Sequence, residues 1–292
     1  MSIVVFDIGG SAVKFGLWQE DALSGKGYFE TPKTWNELKA EMKSVFDGYA
    51  ASVSVDGVAI SSPGAVDSGA GIIGGISAVQ YIHHFSIRTE WEMLFGVPVS
   101  VENDANCAAL AEVWLGAARD VQNALFIVIG SGIGGAVIVN RQLFKGKNLF
   151  GGEFGYMLLD GENTLSRLGS PVQVAERYGK AMEMPDGVVD GKYLFERAEE
   201  CEPVAVAYVD GMIDALARGI YNLSVSFNPD RVIIGGGVSV REDLIARIRE
   251  RTAYHLKAHG AESVDPDIQV CTFRNDANLI GAVAHFRQTE GL

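Results

Sequence analysis

An α/β fold is predicted by three observations. Short β-type runs alternate with segments of helical spacing along the chain, and glycine-rich turns close several of the β runs. Apolar residues make up 48% of the sequence against 21% charged, enough to bury a sizeable core in 292 residues.

The elements follow in order. IVVFDIGG and AVKFGLW read as two strands joined by a turn, with a weaker third strand near Gly27 to Thr31. Helical spacing takes over in TWNELKAEMKSVFDGYA, and GVAISSPG returns to β. After a glycine-rich stretch (69–75), SIRTEWEMLFG reads as a helix, PVSV as a strand, and the next helix runs through Leu115. A second strand–turn–strand is ALFIVIG, SGIGG and AVIVNRQLF. From Ser170 onward the pattern is mostly helical, near 170–183, 191–200 and 203–227. RVIIGGG is then a strand and turn, REDLIARIRERTAYHLK a helix, IQVCTF a strand, and 276–286 a closing helix. The periodic pattern breaks at LGAARDVQ, which places a domain boundary near Gly116 to Gln122. Residues 1–117 are expected to form an N-terminal α/β domain and 118–276 a larger C-terminal one. The apolar face of 277–292 is expected to pack back on the first domain.

Charge excludes some partners. Thirty-seven acids against 24 bases give a formal charge of −13, a field that repels nucleic acid and anionic membrane surfaces. A small anionic ligand would have to be held by backbone N–H groups, a metal ion or a few local bases. Cys107, Cys201 and Cys271 are odd in number and far apart, so neither a disulfide framework nor a metal cluster is indicated. MSIVVFDIGG starts a strand directly, without a signal-type or bilayer-length apolar run. The expectation is a soluble protein of a reducing cytosol.

Chemistry concentrates where strands end. In VENDANCAALAEV the strand PVSV runs into an acid, an amide and a second acid, and a helix starts at once. Asp104 there can accept a proton from a substrate hydroxyl, or Asn103 and Asp104 can merely cap the helix. DIGGS joins two strands through glycines that let a ligand approach the backbone, and the consecutive amides around Gly9, Gly10 and Ser11 make a nest for phosphate oxygens. Asp7 beside them suits a phosphate accompanied by Mg²⁺, held directly or through water. Lys14 lies near enough to take part, or is a strand-surface lysine; DIGGS itself can equally be an ordinary hairpin turn.

GSGIGG repeats the arrangement. Ser131 and Gly132 can hold further phosphates there, while Gly134 and Gly135 relieve crowding. In GGGVS, the glycines Gly235, Gly236 and Gly237 can admit an adenine ring or ribose, or simply allow close helix packing. Glu153 and Tyr156 in GGEFGYM can meet sugar hydroxyls, although a solvent-exposed turn would look the same. His83 and His84 in YIHHF read as surface or rim residues, since no cysteine or acid spacing marks them as metal ligands. Trp91 and Trp114 read as core.

Taken together, the motifs resemble the ROK (repressor, open reading frame, kinase) family of sugar kinases, in order over nearly the whole chain. DIGGS looks like its first phosphate motif, usually DIGGT, and ENDAN like its catalytic acid motif. GSGIGG looks like its second phosphate motif, GGEFGYM like its sugar-binding turn and GGGVS like its nucleotide-side turn. The resemblance implies a two-domain actin-like ATPase (ribonuclease H-like) fold with an inter-domain cleft, ATP and Mg²⁺ as cofactors, a hexose substrate and a homodimer. It implies Asp104 as the base, Asp7 toward Mg²⁺, and Asn103, Asp104, Glu153 and Tyr156 toward the sugar. The amides of Gly9, Gly10, Ser131 and Gly132 are implied to face the phosphates.

The chain also departs from the family pattern. Tyr156 stands where a histidine is usual, and GENTLSRLGSPVQVAE replaces a CxCGxxGCxE cluster, so the family's structural zinc is expected to be absent. Ser166 stands where a sugar-binding glutamate is usual, and ISAVQYIHHF replaces an NLPGW-like sugar loop. These departures resemble a zinc-lacking branch that includes β-glucoside kinases and some N-acetylmannosamine kinases. The expected reaction is phosphoryl transfer from ATP to a hexose or β-glucoside, at O6. The alternatives are a glucose or N-acetylmannosamine kinase, or a non-catalytic sugar sensor. A repressor of the same family would carry a helix-turn-helix ahead of DIGG, where only six residues precede Asp7.

Overall fold

A computed structural model describes residues 1–291; Leu292, the last residue of the expected closing segment 277–292, lies outside the described residues. The chain divides into two compact units. One comprises Met1–Arg119, Gly146–Phe150 and the chain from Thr272 onward, and the other Asp120–Lys145 and Gly151–Cys271.

The first unit contains β1 (Ile3–Ile8), β2 (Ala12–Gln19), β3 (Ala22–Glu30), α1 (Trp35–Ala50), β4 (Gly57–Ser62), β5 (Ala65–Asp67), β6 (Ile72–Gly74), α2 (Ile87–Phe95), β7 (Val99–Asn103) and α3 (Asp104–Trp114). Its main sheet has the order β3-β2-β1-β4-β7, while β5 and β6 form a separate hairpin. β1 pairs antiparallel with β2 and parallel with β4, and β4 pairs parallel with β7. Every residue of β1 is buried, as in a central strand covered on both faces, and Asp7 is its one charged residue. Thr34 starts α1 with a capping box, accepting from the Glu37 N–H while Glu37 accepts from the Thr34 N–H. β3 extends further back than expected, to Ala22. It is an edge strand with mostly exposed or half-buried residues, so it lacks the apolar alternation that would have marked it.

In the second unit lie β8 (Ala124–Ile129), β9 (Ile133–Val139), β10 (Gln142–Leu143), β11 (Leu158–Asp160), β12 (Asn163–Thr164), α4 (Leu165–Gly169), α5 (Pro171–Ala181), α6 (Gly191–Glu199), α7 (Pro203–Phe227), β13 (Arg231–Gly236), α8 (Glu242–Ala258) and β14 (Asp267–Val270). Its sheet order, β10-β9-β8-β13-β14, repeats the plan of the first: antiparallel partners on one side of β8, parallel ones on the other. AVIVNRQLF is not one strand. Asn140 and Arg141 both take positive φ, 51° and 63°, and fold the run into the β9–β10 hairpin. The segment near 170–183 begins earlier, as the short α4, and Ser170 caps α5 by accepting from the Gln173 N–H. In IQVCTF the strand ends at Val270, with one more hydrogen bond from the Cys271 N–H to the Ile234 carbonyl at 3.0 Å.

The closing helix α9 (Ala277–Glu290) belongs to the first unit and packs on α3, β4, β7 and β1. A Cβ at Gly281 would sit 1.6 Å from the Cys107 carbonyl oxygen, so only glycine permits this approach of α9 to α3. Trp91 is fully buried, as expected of core. Trp114 is instead half-buried, packing on Trp18 with ring centroids 5.1 Å apart and beneath the Arg287 guanidinium, because it ends α3 at the unit's edge.

Candidate active site

In the first unit the carboxyl ends of β1, β4 and β7 lie side by side. Asp7 is in register with Ser61, Ser61 with Glu102, and Ser62 with Asn103. The DIGGS turn and ENDAN are therefore two strand spacings apart, about 10 Å, on one edge of one sheet. Ligands of open α/β sheets bind at such carboxyl ends.

Asp7 is 7% exposed. Its Oδ1 accepts from the Ser61 hydroxyl at 2.7 Å and from Asn278 Nδ2 at 3.0 Å, and its Oδ2 lies 3.9 Å from Lys14 Nζ. The turn that follows is closed by Gly9, whose N–H donates to the Ala12 carbonyl at 3.0 Å. Gly9 thus differs from its expected role as a phosphate donor, because its amide is consumed within the turn. Gly10 and Ser11 are exposed, and their N–H groups donate to no acceptor among the described residues. A Cβ at Gly10 would lie 2.7 Å from Ala78 Cβ, so the 75–80 loop runs close beside this turn.

Asn103 ends β7 and caps α3. Its Oδ1 accepts from the Asn106 N–H at 3.1 Å, and its Nδ2 donates to the Gly64 carbonyl at 2.9 Å. One amide hydrogen and one lone pair remain for a ligand. Asp104, half-buried, occupies the first helical position, with Oδ1 accepting from the Ala105 N–H at 2.8 Å. Behind them Glu102 is 1% exposed. Its Oε1 accepts from the Asn103 N–H at 2.8 Å and Asn106 Nδ2 at 3.0 Å, and its Oε2 lies 3.6 Å from Nε2 of the buried His285. Burial, reinforced by the carboxylates of Glu102, Asp7 and Asp104, pushes the Cys107 thiol well above its usual pKa, which keeps it protonated.

His83 corrects the expectation of a rim residue. It is 7% exposed and its Nε2 is 2.7 Å from the Ser77 hydroxyl, while His84 is exposed with φ 67°. Burial, then the neighbouring His84, lowers the His83 pKa. The ring lies beneath Gly64, the residue that holds Asn103.

Within the second unit, β8 and β13 are parallel and Ile129 is in register with Gly236, so both glycine turns leave the same sheet edge together. Gly236 has φ 86°, and a Cβ there would lie 2.2 Å from the Ile129 oxygen. Gly235 is buried, and Gly237 begins a 3₁₀ turn that precedes α8. Around 130–133 the polar groups are sorted by direction. Ser170 Oγ donates to the Gly130 carbonyl at 2.8 Å, Gln173 Nε2 donates to the Ser131 carbonyl at 3.3 Å, and Ser166 Oγ accepts from the Ile133 N–H at 2.9 Å. The N–H groups of Ser131 and Gly132 donate to no acceptor among the described residues. Ser166 therefore braces this turn.

Glu153 precedes, and Tyr156 ends, a 3₁₀ turn (Phe154–Tyr156) that lies against β9. A Cβ at Gly152 would meet the Gly135 oxygen at 2.5 Å, and one at Gly155 the Ile133 oxygen at 2.1 Å. Both side chains are exposed, and partial desolvation of the Glu153 carboxyl raises its pKa. Sequence reasoning missed Ser61, Asn278 and His285, and read Glu102 only as the first acid of ENDAN. None sits in a glycine turn, and Asn278 reaches Asp7 from 271 residues away.

A model described as "ROK family" matches residues 3–289. The chain belongs to the ROK family. A β-glucoside kinase of Klebsiella pneumoniae is 35% identical to this ROK protein, covering 99% of this chain and 97% of the relative. A β-glucoside kinase of Listeria monocytogenes is 33% identical over 99% of both. A ROK family protein from Streptococcus pneumoniae TIGR4, solved in complex with sucrose, has a TM-score of 0.89 at 34% identity, covering 100% of this chain and 99% of that one. The fold of this ROK protein is accordingly the α/β, two-domain actin-like ATPase fold. Among the described residues, no helix is long and apolar enough to cross a membrane.

Proposed function

We propose that the protein is a carbohydrate kinase that transfers the γ-phosphoryl group of ATP to O6 of a glucopyranose unit, with a β-glucoside as substrate. The observation that carries the reading is Asp104, half-buried on the first turn of α3 at the carboxyl end of β7, braced by the Glu102–Asn103–Asn106 lattice. The relatives named β-glucoside kinase support the sugar class. In the reaction the sugar O6 forms a bond to the γ-phosphorus as the bond to the β–γ bridging oxygen breaks. The hydroxyl proton passes to Asp104, and ADP leaves. Phosphoryl transfer asks little of the protein beyond alignment and charge stabilisation.

In this reading the amides of Gly10 and Ser11, and those of Ser131 and Gly132, receive phosphate oxygens. Gly235, Gly236 and Gly237 leave room for the nucleoside. Asn103, Glu153 and Tyr156 hold sugar hydroxyls. Asp7 fits a role in holding Mg²⁺, for it is one carboxylate with an oxygen not taken by hydrogen bonds. Among the described residues no three His, Cys, Asp or Glu side chains form a metal cage, and Mg²⁺ in phosphoryl transfer needs only one or two carboxylates beside phosphates and water. Charge neutralisation on the phosphates is what that ion supplies when bound. A homodimer and a cytoplasmic location complete the proposal.

Asp104→Asn tests it, since the amide keeps size and hydrogen bonding but loses the base. Turnover with ATP is expected to fall at least roughly 10²-fold with sugar binding kept. Near-normal turnover overturns the assignment. A substrate panel of cellobiose, aryl β-glucosides, glucose, N-acetylmannosamine and N-acetylglucosamine decides the sugar, and an absence of ATP turnover with every one of them leaves the sensor reading standing.

A further inference from the structure

We propose that Ser61 and Asn278 are positioning residues for Asp7, which dedicate its Oδ2 to the hydration shell of the nucleotide's divalent cation. The inference rests on the kinase reading above and deepens it. Ser61 is fully buried on β4, directly beside Asp7 in the parallel ladder, and its hydroxyl donates to Oδ1 at 2.7 Å. Asn278, in the first turn of α9, donates Nδ2 to the same oxygen at 3.0 Å. A carboxylate oxygen has two in-plane lone pairs, and these two donors occupy both. No hydrogen bond reaches Oδ2 among the described residues. Its nearest charge is Lys14 Nζ, beyond hydrogen-bond range at 3.9 Å on a side chain 46% exposed.

That asymmetry is more than burial requires. A buried carboxylate is satisfied by donors spread over both oxygens, and here both donors, from different elements, converge on one. The effect is to fix the carboxylate's rotation, with Oδ1 anchored by two donors and Oδ2 left on the side of the half-exposed Lys14. A divalent cation that keeps several waters needs such a fixed acceptor for one of them. Loss of either donor leaves the carboxylate free to rotate and exchange its oxygens.

The test uses the full chain with Mn²⁺ as the probe. Free Mn²⁺ is followed by electron paramagnetic resonance, with a non-hydrolysable ATP analogue present and no sugar. Asn278→Ala and Ser61→Ala are each expected to weaken Mn²⁺ binding about 10-fold, the scale of one hydrogen bond to a charged group. The Mg²⁺ concentration for half-maximal turnover should rise by the same factor while the sugar KM stays within about twofold. If Asn278→Ala fails to fold, Ser61→Ala carries the measurement. Unchanged Mn²⁺ affinity in the folded variants overturns the inference, as does a parallel rise in sugar KM, which marks general distortion. Wild-type protein that binds neither the analogue nor Mn²⁺ refutes the kinase reading itself, a result distinct from either.

Discussion

The side-chain amide of Asn103 donates to the Gly64 carbonyl at 2.9 Å while its oxygen accepts from the Asn106 N–H at 3.1 Å, so one residue ties the start of α3 to the segment after β4. Asp104 is next in sequence, and its direction is expected to depend on this tie. Asn103→Ala removes the helix cap and the tether together. It is expected to destabilise the fold by about 1–2 kcal/mol and to lower kcat as well as raise the sugar KM. Denaturant unfolding and steady-state kinetics check both; an unaffected kcat would show that Asp104 is oriented without it.

Glu112 offers a sharper stability test. It is fully buried on α3, where Oε1 accepts from the N–H groups of Thr272 and Phe273 at 2.8 and 3.1 Å, and Oε2 accepts from the Ala117 N–H at 2.7 Å. One carboxylate thus holds the chain just before it leaves the first unit and just after it returns. Glu112→Ala strands three amides and should cost at least roughly 3 kcal/mol, read as a lowered denaturation midpoint. Glu112→Gln, which keeps an acceptor oxygen, should lose less.

Titration of Glu153 sets the third expectation. In the proposed sugar site an ionised carboxylate, with acceptors only, is the stronger partner for sugar hydroxyls, and partial desolvation raises its pKa. Protonation therefore begins at a higher pH than for an ordinary glutamate. The sugar KM should be lowest above the raised pKa and climb as pH falls through it, with Glu153→Gln removing that acid limb. A KM profile against pH that is the same in both proteins would exclude the residue from sugar binding.

Much of this molecule was legible in its sequence, and the residues that were not share a cause. β1 announced itself because a central strand is apolar on both faces, and Asp7 stood out as the one charge within it. ENDAN was legible because an amide that caps a helix directly after a strand leaves a local signature. The role of Glu102 inside that motif, and Glu112 altogether, were not legible, since a glutamate in a strand or helix ordinarily faces water, and only tertiary packing shows these two holding backbone amides inside. His83 read as a rim residue for a similar reason. The turn that buries it depends on Ser77, six residues earlier in an irregular loop without periodicity. Ser61 and Asn278 carry no motif at all. Their meaning lies in a carboxylate that neither adjoins in sequence.

The placement of α9 has a consequence for biosynthesis. Translation delivers β1, β4 and β7 first, yet the helix that covers them and supplies Asn278 arrives only after the whole second unit has emerged. A nascent chain that has not yet docked α9 therefore carries Asp7 without one of its two anchors and with the α9 side of β1, β4 and β7 uncovered.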